Sequence, residues 1–171
     1  LELKINIMAV KLLLNANMKK WLQKSIESEL YASNLYKHLA NQLQRLGLFG
    51  TQAFFLNESA DELKHYQIIV EFINDMGDVA SMPKVDACAD KVTCIGDALD
   101  IAYETEYDLL EHYKEFYDMA EEDDCIVGQF LLQFIEIQRK SVGDYGDLLS
   151  KYEIAKENKE ILFFDKQIGK I

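Results

Sequence analysis

Apolar residues recur at helical spacing along most of the chain. From Met18 to about Leu46 they fall at Trp21, Leu22, Ile26, Leu30, Leu35, Leu39, Leu43 and Leu46, the alternation of threes and fours that marks an amphipathic helix. This first segment predicts a helix of roughly eight turns. Gly47 and Gly50 bracket a tight turn, after which Phe54, Phe55, Leu56, Leu63, Ile68, Ile69, Phe72, Ile73 and Met76 trace a second long helix ending at Gly77. So short a turn makes the two helices antiparallel neighbours. A third helix is expected from about Asp97 to Ala120, its buried side marked by Ala98, Ile101, Ala102, Leu109, Leu110, Tyr113, Phe116 and Tyr117, with the acidic run from Glu121 to Asp124 closing it. A fourth begins near Val127 and continues through Phe130, Leu131, Phe134, Ile135, Val142, Tyr145, Leu148, Leu149 and Tyr152. The tail predicts a short fifth helix around Ile161 to Ile168.

The stretch from Asp78 to Gly96 has no sustained period, holds the only proline, Pro83, and is long for a connection inside a compact domain. A physical reason for its length is that it runs the whole length of the bundle, so that the third helix starts at the far end. Each long helix spans about 40 Å, and an extended chain of that length can cover it. The expected fold is all-α: a four-helix bundle with a long crossover between helices 2 and 3 and a short fifth helix at the C-terminus.

Composition agrees with that outline and narrows the function. A chain of 171 residues with 49% hydrophobic residues suits one domain. We assign it to residues 18–171, with residues 1–17 as an N-terminal extension in which Leu1 to Ile7, ahead of Met8, reads as an added or processed end. One proline and eight glycines favour long helices. Thirty acidic and eighteen basic residues give a net charge of −12, which repels nucleic acid and anionic membrane and suits cations. By itself that charge also fits a plain solvated surface. The apolar run from Ile5 to Leu14 is broken by Asn6 and Lys11 and falls short of a membrane span, so a soluble, cytoplasmic protein is expected. Cys88, Cys94 and Cys125 are odd in number and form no CxxC pair, so neither a disulfide framework nor a zinc ribbon is indicated.

Polar residues on inward helix faces are the informative ones. Glu29 lies on the stripe of Ile26, Ser33 and Tyr36; Glu62 and His65 lie one turn apart on that of Ser59, Ile69 and Phe72. Glu106 continues the line through Tyr103, Leu110 and Tyr113, and Gln138 that from Phe134 to Ser141 and Tyr145. Taken singly, each has the plainer reading of a solvated helix residue. Taken together, Glu29, Glu62 and Glu106 would cost several kcal/mol each to bury as bare anions. A pair of divalent cations removes that cost. Carboxylates with one imidazole suit iron or manganese, and Glu-x-x-His recurs in carboxylate-bridged di-iron bundles because its ends share a helix face. His38 and His112 have no comparable company and are expected at the surface.

At these residues the chain closely resembles the ferritin family, over about Met18 to Lys170. Glu29-Leu30-Tyr31-Ala32-Ser33-Asn34-Leu35-Tyr36 resembles the first-helix motif, Asp61-Glu62-Leu63-Lys64-His65 the second-helix motif, and Leu162-Phe163-Phe164-Asp165-Lys166 the approach to the fifth helix. The resemblance implies a non-haem ferritin with a heavy-chain-like ferroxidase centre. Glu29, Glu62, His65 and Glu106 would be the metal ligands, with Glu62 bridging two irons, and Tyr36 and Gln138 would hydrogen-bond beside them. It also implies self-association into a hollow homo-oligomer of about 24 subunits, by family analogy. Haem-binding relatives carry methionine directly after the bridging glutamate; Leu63 stands there, so no haem is expected.

Several positions depart from the family pattern. A third iron site is not expected, because Ile137, Lys140 and Ser141 replace its glutamates, and Lys64 and Gln67 replace acidic residues that help mineral form. The acidic pore lining is replaced around Gly128 to Leu131, with Asp123 and Asp124 nearby. The function implied is oxidation of Fe(II) by oxygen and storage of ferric mineral. The alternatives are a di-iron or di-manganese bundle that consumes peroxide or oxidises small molecules without a storage shell, and an inactive light-chain-like subunit. The four ligands together count against the latter.

Overall fold

The computed structural model describes residues 11–171; the expectations for Leu1 to Ile7 lie outside these residues. Five helices follow in order, α1 (Ala16–Arg45), α2 (Phe49–Asp75), α3 (Ile95–Asp123), α4 (Cys125–Glu157) and α5 (Ile161–Ile168), with no strand among the described residues. The all-α bundle with a short fifth helix is therefore the observed fold. None of the described helices is long and apolar enough to cross a membrane.

Local chemistry sets the helix ends. Asn15 caps α1 by accepting from the Met18 amide at 2.9 Å. After α1, Gly47 takes φ +79°, and the Leu48 and Gly47 amides return to the Leu43 and Gln44 carbonyls at 3.0 and 3.1 Å. This left-handed stop reverses the chain into α2 and needs a residue without a Cβ. Asp97 begins α3, accepting from the amides of Thr93 at 2.7 Å and Cys94 at 3.2 Å. Asp124 is a one-residue break between α3 and α4 and caps the latter through the Ile126 and Val127 amides. The acidic run thus ends one helix and starts the next.

The segment between α2 and α3 runs along α1 in the direction of α1. Near its start Asp78 pairs with Lys19 at 2.5 Å, and the Ser81 amide donates to Gln23 Oε1 at 3.0 Å. Near its end the Val92 amide donates to Gln42 Oε1 at 2.9 Å, while His38 and Gln42 donate to the Asp90 carbonyl at 2.9 and 3.0 Å. The contacts span residues 19 to 42 of α1, so the segment crosses nearly the whole bundle. In consequence α1 and α4 run one way and α2 and α3 the other. His38 is half-buried beneath this crossover, which corrects its expected surface position.

The core fills the space between the helices with Met18, Leu22, Ile26, Leu39, Leu43, Phe55, Ile69, Ile73, Phe116 and Phe134. Leu46, Leu56 and Leu63, expected on buried stripes, are exposed. Gly50, expected in the turn, belongs to α2. A Cβ there would collide with the backbone of Asp165, and one on Gly169 would come 2.7 Å from the Cα of Gly50. Glycine is required because α5 crosses α2 at that point.

Asp165 fixes that crossing. Its buried carboxylate accepts from the Gly50 amide at 3.1 Å and from the Thr51 amide and hydroxyl at 2.8 Å each. An α5 side chain therefore caps the first turn of α2, a favourable place for an anion. Asp165→Ala leaves these donors unpaired, and we expect the contact to weaken by roughly 2 to 3 kcal/mol. Faster hydrogen exchange at the Gly50 and Thr51 amides, with the α3 amides unchanged, is the outcome that checks it.

Candidate metal centre

The centre lies in the bundle interior, between helices held at close range by small residues. Ser33 Oγ donates to the Ser59 carbonyl at 2.9 Å and lies 3.0 Å from Ser59 Oγ. Ser33 is one turn beyond Glu29 and Ser59 one turn before Glu62, so this contact sets the spacing of the two glutamates. Glu29, Glu62 and Glu106 are 0%, 4% and 1% exposed.

Glu29, Glu62 and His65 each offer a ligand atom within 4.8 Å of the others, the one such group among the described residues. His65 Nδ1 lies 3.1 Å from Glu62 Oε2 and 3.7 Å from Glu29 Oε2. Glu106 is outside that group; its carboxylate accepts from the Tyr36 hydroxyl. Gln138 is buried on α4 between Phe134 and Tyr145, and neither atom of its amide has a partner. Of the six residues singled out in sequence, three converge directly, two form an adjacent hydrogen-bonded pair, and Gln138 faces the interior unbonded.

The electrostatics are those of anions in a dry interior. Burial, opposed in part by the His65 hydrogen bond and reinforced by Glu29, pushes the Glu62 carboxyl well above its usual range. Burial lifts Glu106 to about 7 against the hydrogen bond from Tyr36. Burial opposes charge on His65, but the Glu29 and Glu62 carboxylates beside it, the second hydrogen-bonded to it, raise it to about 10. Protons thus partly neutralise the cluster, and a divalent cation would displace them. Glu29 Oε2 and Glu106 Oε2 have no protein partner although buried. Unpaired inward oxygens with one imidazole and no thiol fit a hard or borderline cation such as iron or manganese.

Three features escaped the sequence reading. Tyr113 donates from α3 to Glu29 Oε1, and Tyr145 donates from α4 to Glu58 Oε2 at 2.9 Å. Each buried phenol stands where an apolar side chain would fill the space, and that substitution was the available signal. His112, expected at the surface, is instead half-buried, 2.8 Å from Ser25 Oγ and stacked on Trp21 at 5.5 Å. Burial, with Lys24 nearby, pushes it down to about 4, so it is neutral at neutral pH.

An interior lined by carboxylates from three helices, with Glu-x-x-His on one of them, places the chain among carboxylate-bearing four-helix bundles. The family profile described as Ferritin-like domain matches residues 19–171, and the chain belongs to the ferritin family. It is 24% identical to a probable bacterial non-heme ferritin-like protein of Haemophilus influenzae, over 93% of this chain and 98% of that one. It is 23% identical to a bacterial non-heme ferritin of Bacteroides fragilis, over 92% and 99%. The fold is similar to that of an open pore ferritin from Archaeoglobus fulgidus, with a TM-score of 0.88 at 22% identity over 93% of this chain and 98% of the other.

The shifted carboxyls make stability depend on pH. Glu106 loses its proton near pH 7 in the fold and near 4.5 when unfolded, so the fold holds the extra proton between those values. Metal-free stability therefore falls as pH rises through that window and levels off above it. Glu106→Gln removes this cost, and we expect the metal-free variant to gain roughly 1 to 3 kcal/mol at pH 8 and almost nothing at pH 4. Thermal unfolding at the two pH values measures the difference, and an equal gain at both would contradict the burial argument.

Proposed function

We propose that this chain is a ferroxidase subunit of an iron-storing ferritin, a cytoplasmic homo-oligomer of about 24 copies by analogy with its family. Fe(II) is its substrate. The observation that carries the reading is the convergence of Glu29, Glu62 and His65 within 4.8 Å in a buried interior, with Glu106 close behind.

In this reading Glu29 and His65 hold one ferrous ion, Glu106 the other, and Glu62 bridges them. Two ions held between fixed carboxylates can each give one electron to the same oxygen molecule. The protein's part is positional and electrostatic. Carboxylates favour the higher charge of Fe(III), the surrounding apolar side chains limit water, and Tyr36 keeps Glu106 in one orientation. Gln138, buried with an unpaired amide, supplies a donor or acceptor to whatever solvent or oxidant enters. The ferric product then leaves for a mineral kept by the assembled shell.

The test compares initial rates of oxygen-dependent Fe(II) oxidation at two irons per subunit in the native protein and in Glu62→Ala. Loss of a bridging ligand should cost more than the roughly 10- to 100-fold that follows disruption of a ligand's supporting hydrogen bond. A fast native phase lost in the variant, from a species eluting as a large oligomer, is expected. Equally slow rates in both would leave an inert shell or a different metal as the better reading, and elution as a small species would remove the storage role.

A further inference from the structure

Tyr113 lies outside the residues that the family resemblance supplies, yet its hydroxyl donates to Oε1 of Glu29. The ring is fully buried on α3. It stacks on Phe134 of α4 with centroids 4.8 Å apart and planes at 23°, and meets His112 edge-on at 5.3 Å. His112 is fixed in turn by Trp21 and Ser25 on α1. Packed on both sides, the phenol has no room to swing away from the carboxylate.

The two oxygens of Glu29 therefore have different surroundings. Oε1 accepts the phenol, while Oε2 has no hydrogen-bond partner and stands 3.7 Å from His65 Nδ1. A carboxylate can give a cation one oxygen or both, and a strong hydrogen bond that occupies a lone pair on one of them favours binding through the other. Resting on the metal-centre reading above, we propose that Tyr113 is a positioning residue that makes Glu29 a one-oxygen ligand, presenting Oε2 to the metal on the His65 side. Burial and the Glu29 charge hold the phenol well above its usual pKa, so it remains a donor. A one-oxygen ligand leaves one more coordination position open for solvent or oxidant at that metal. Tyr36 bonds Glu106 in the same manner from α1. The two outer carboxylates are thus each held by a phenol from a facing helix, whereas the central Glu62 is held by His65.

The test is a titration of the metal-free protein with Co(II) under argon, followed by visible absorption, which reports both affinity and coordination number. Wild type and Tyr152→Phe, which loses a phenol packed against α5, should give the same spectrum and affinity. Tyr113→Phe should bind the first Co(II) roughly 10- to 100-fold more weakly, with a weaker absorption band as Glu29 turns to two-oxygen ligation. Combined with Glu29→Gln it should add no loss beyond that of Glu29→Gln alone. An unchanged spectrum and affinity in Tyr113→Phe, or losses that simply add in the double variant, would overturn the positioning role and leave Tyr113 as packing. Absence of Co(II) binding by wild type would instead overturn the metal-centre reading and, with it, this inference.

Discussion

The interior of this bundle must accommodate Glu29, Glu62 and Glu106, all nearly inaccessible to water. Dehydrating an unpaired carboxylate costs several kcal/mol even after relaxation, comparable to the whole net stability of a domain. The protein offsets only part of that cost with its own groups: one imidazole, two phenols, and raised carboxyl pKa values that retain protons. Unpaired oxygens remain on Glu29 and Glu106. Such an interior is inefficient as a structural core and sensible as a cation site, since a divalent ion supplies the missing charge and takes up the free lone pairs.

That constraint explains features far from the centre. The glutamates must face one another across helices that cannot relax apart, so the ends of the bundle are fastened independently of its middle. Asp165 binds α5 to the start of α2, and Gly50 and Gly169 let the backbones touch there. At the side, the crossover is attached to α1 at Lys19, Gln23, His38 and Gln42. The crossover and α5 carry none of the candidate ligands, yet they fasten α1 and α2, which carry Glu29, Glu62 and His65. Closer in, Ser33 and Ser59 bring α1 and α2 together without bulk, and the phenols of Tyr36 and Tyr113 reach from facing helices to the outer carboxylates.

The helices and their inward polar stripes were legible because they are written in a local period, an apolar residue every third or fourth position broken at intervals by a carboxylate or histidine, and the crossover because that period lapses over a stretch too long for a turn. What was not legible depends on partners distant in sequence. Gly50 reads as a turn glycine until α5, more than a hundred residues later, is seen to cross it. His112 reads as a surface residue because its companions, Trp21 and Ser25, lie on another helix. Tyr113 was recognised as buried, but a tyrosine on an apolar stripe does not say which way its hydroxyl points. That answer came only with α1 and α3 in place. Helix ends shifted by a few residues for a smaller reason: the caps at Asn15 and Asp124 decide them, and a periodic pattern carries no cap geometry.

The centre differs in kind from the acidic groove beside it. Between α2 and α4 a depression is lined by Glu58, Asp61, Glu62, His65, Lys140 and Asp144, so carboxylates continue outward from the centre. Here they are already engaged: Asp61 with Lys64 at 2.5 Å, Asp144 with Lys140, and Glu58 with Tyr145. Exposed ion pairs are each worth at most about 1 kcal/mol, so the lysines do not bar a cation. They do lower what it gains by staying at Asp61 or Asp144, because carboxylates in water carry no dehydration cost for a metal to relieve. At Glu29 and Glu106 that cost is large and only partly relieved by the two phenols, since Oε2 of each has no protein partner. Under the proposed function, a divalent ion in the groove would gain more at the unpaired Oε2 atoms of Glu29 and Glu106 than at Asp61 or Asp144. Ile137, Lys140 and Ser141 on the adjoining face of α4 offer no carboxylate to a further ion beside the candidate centre.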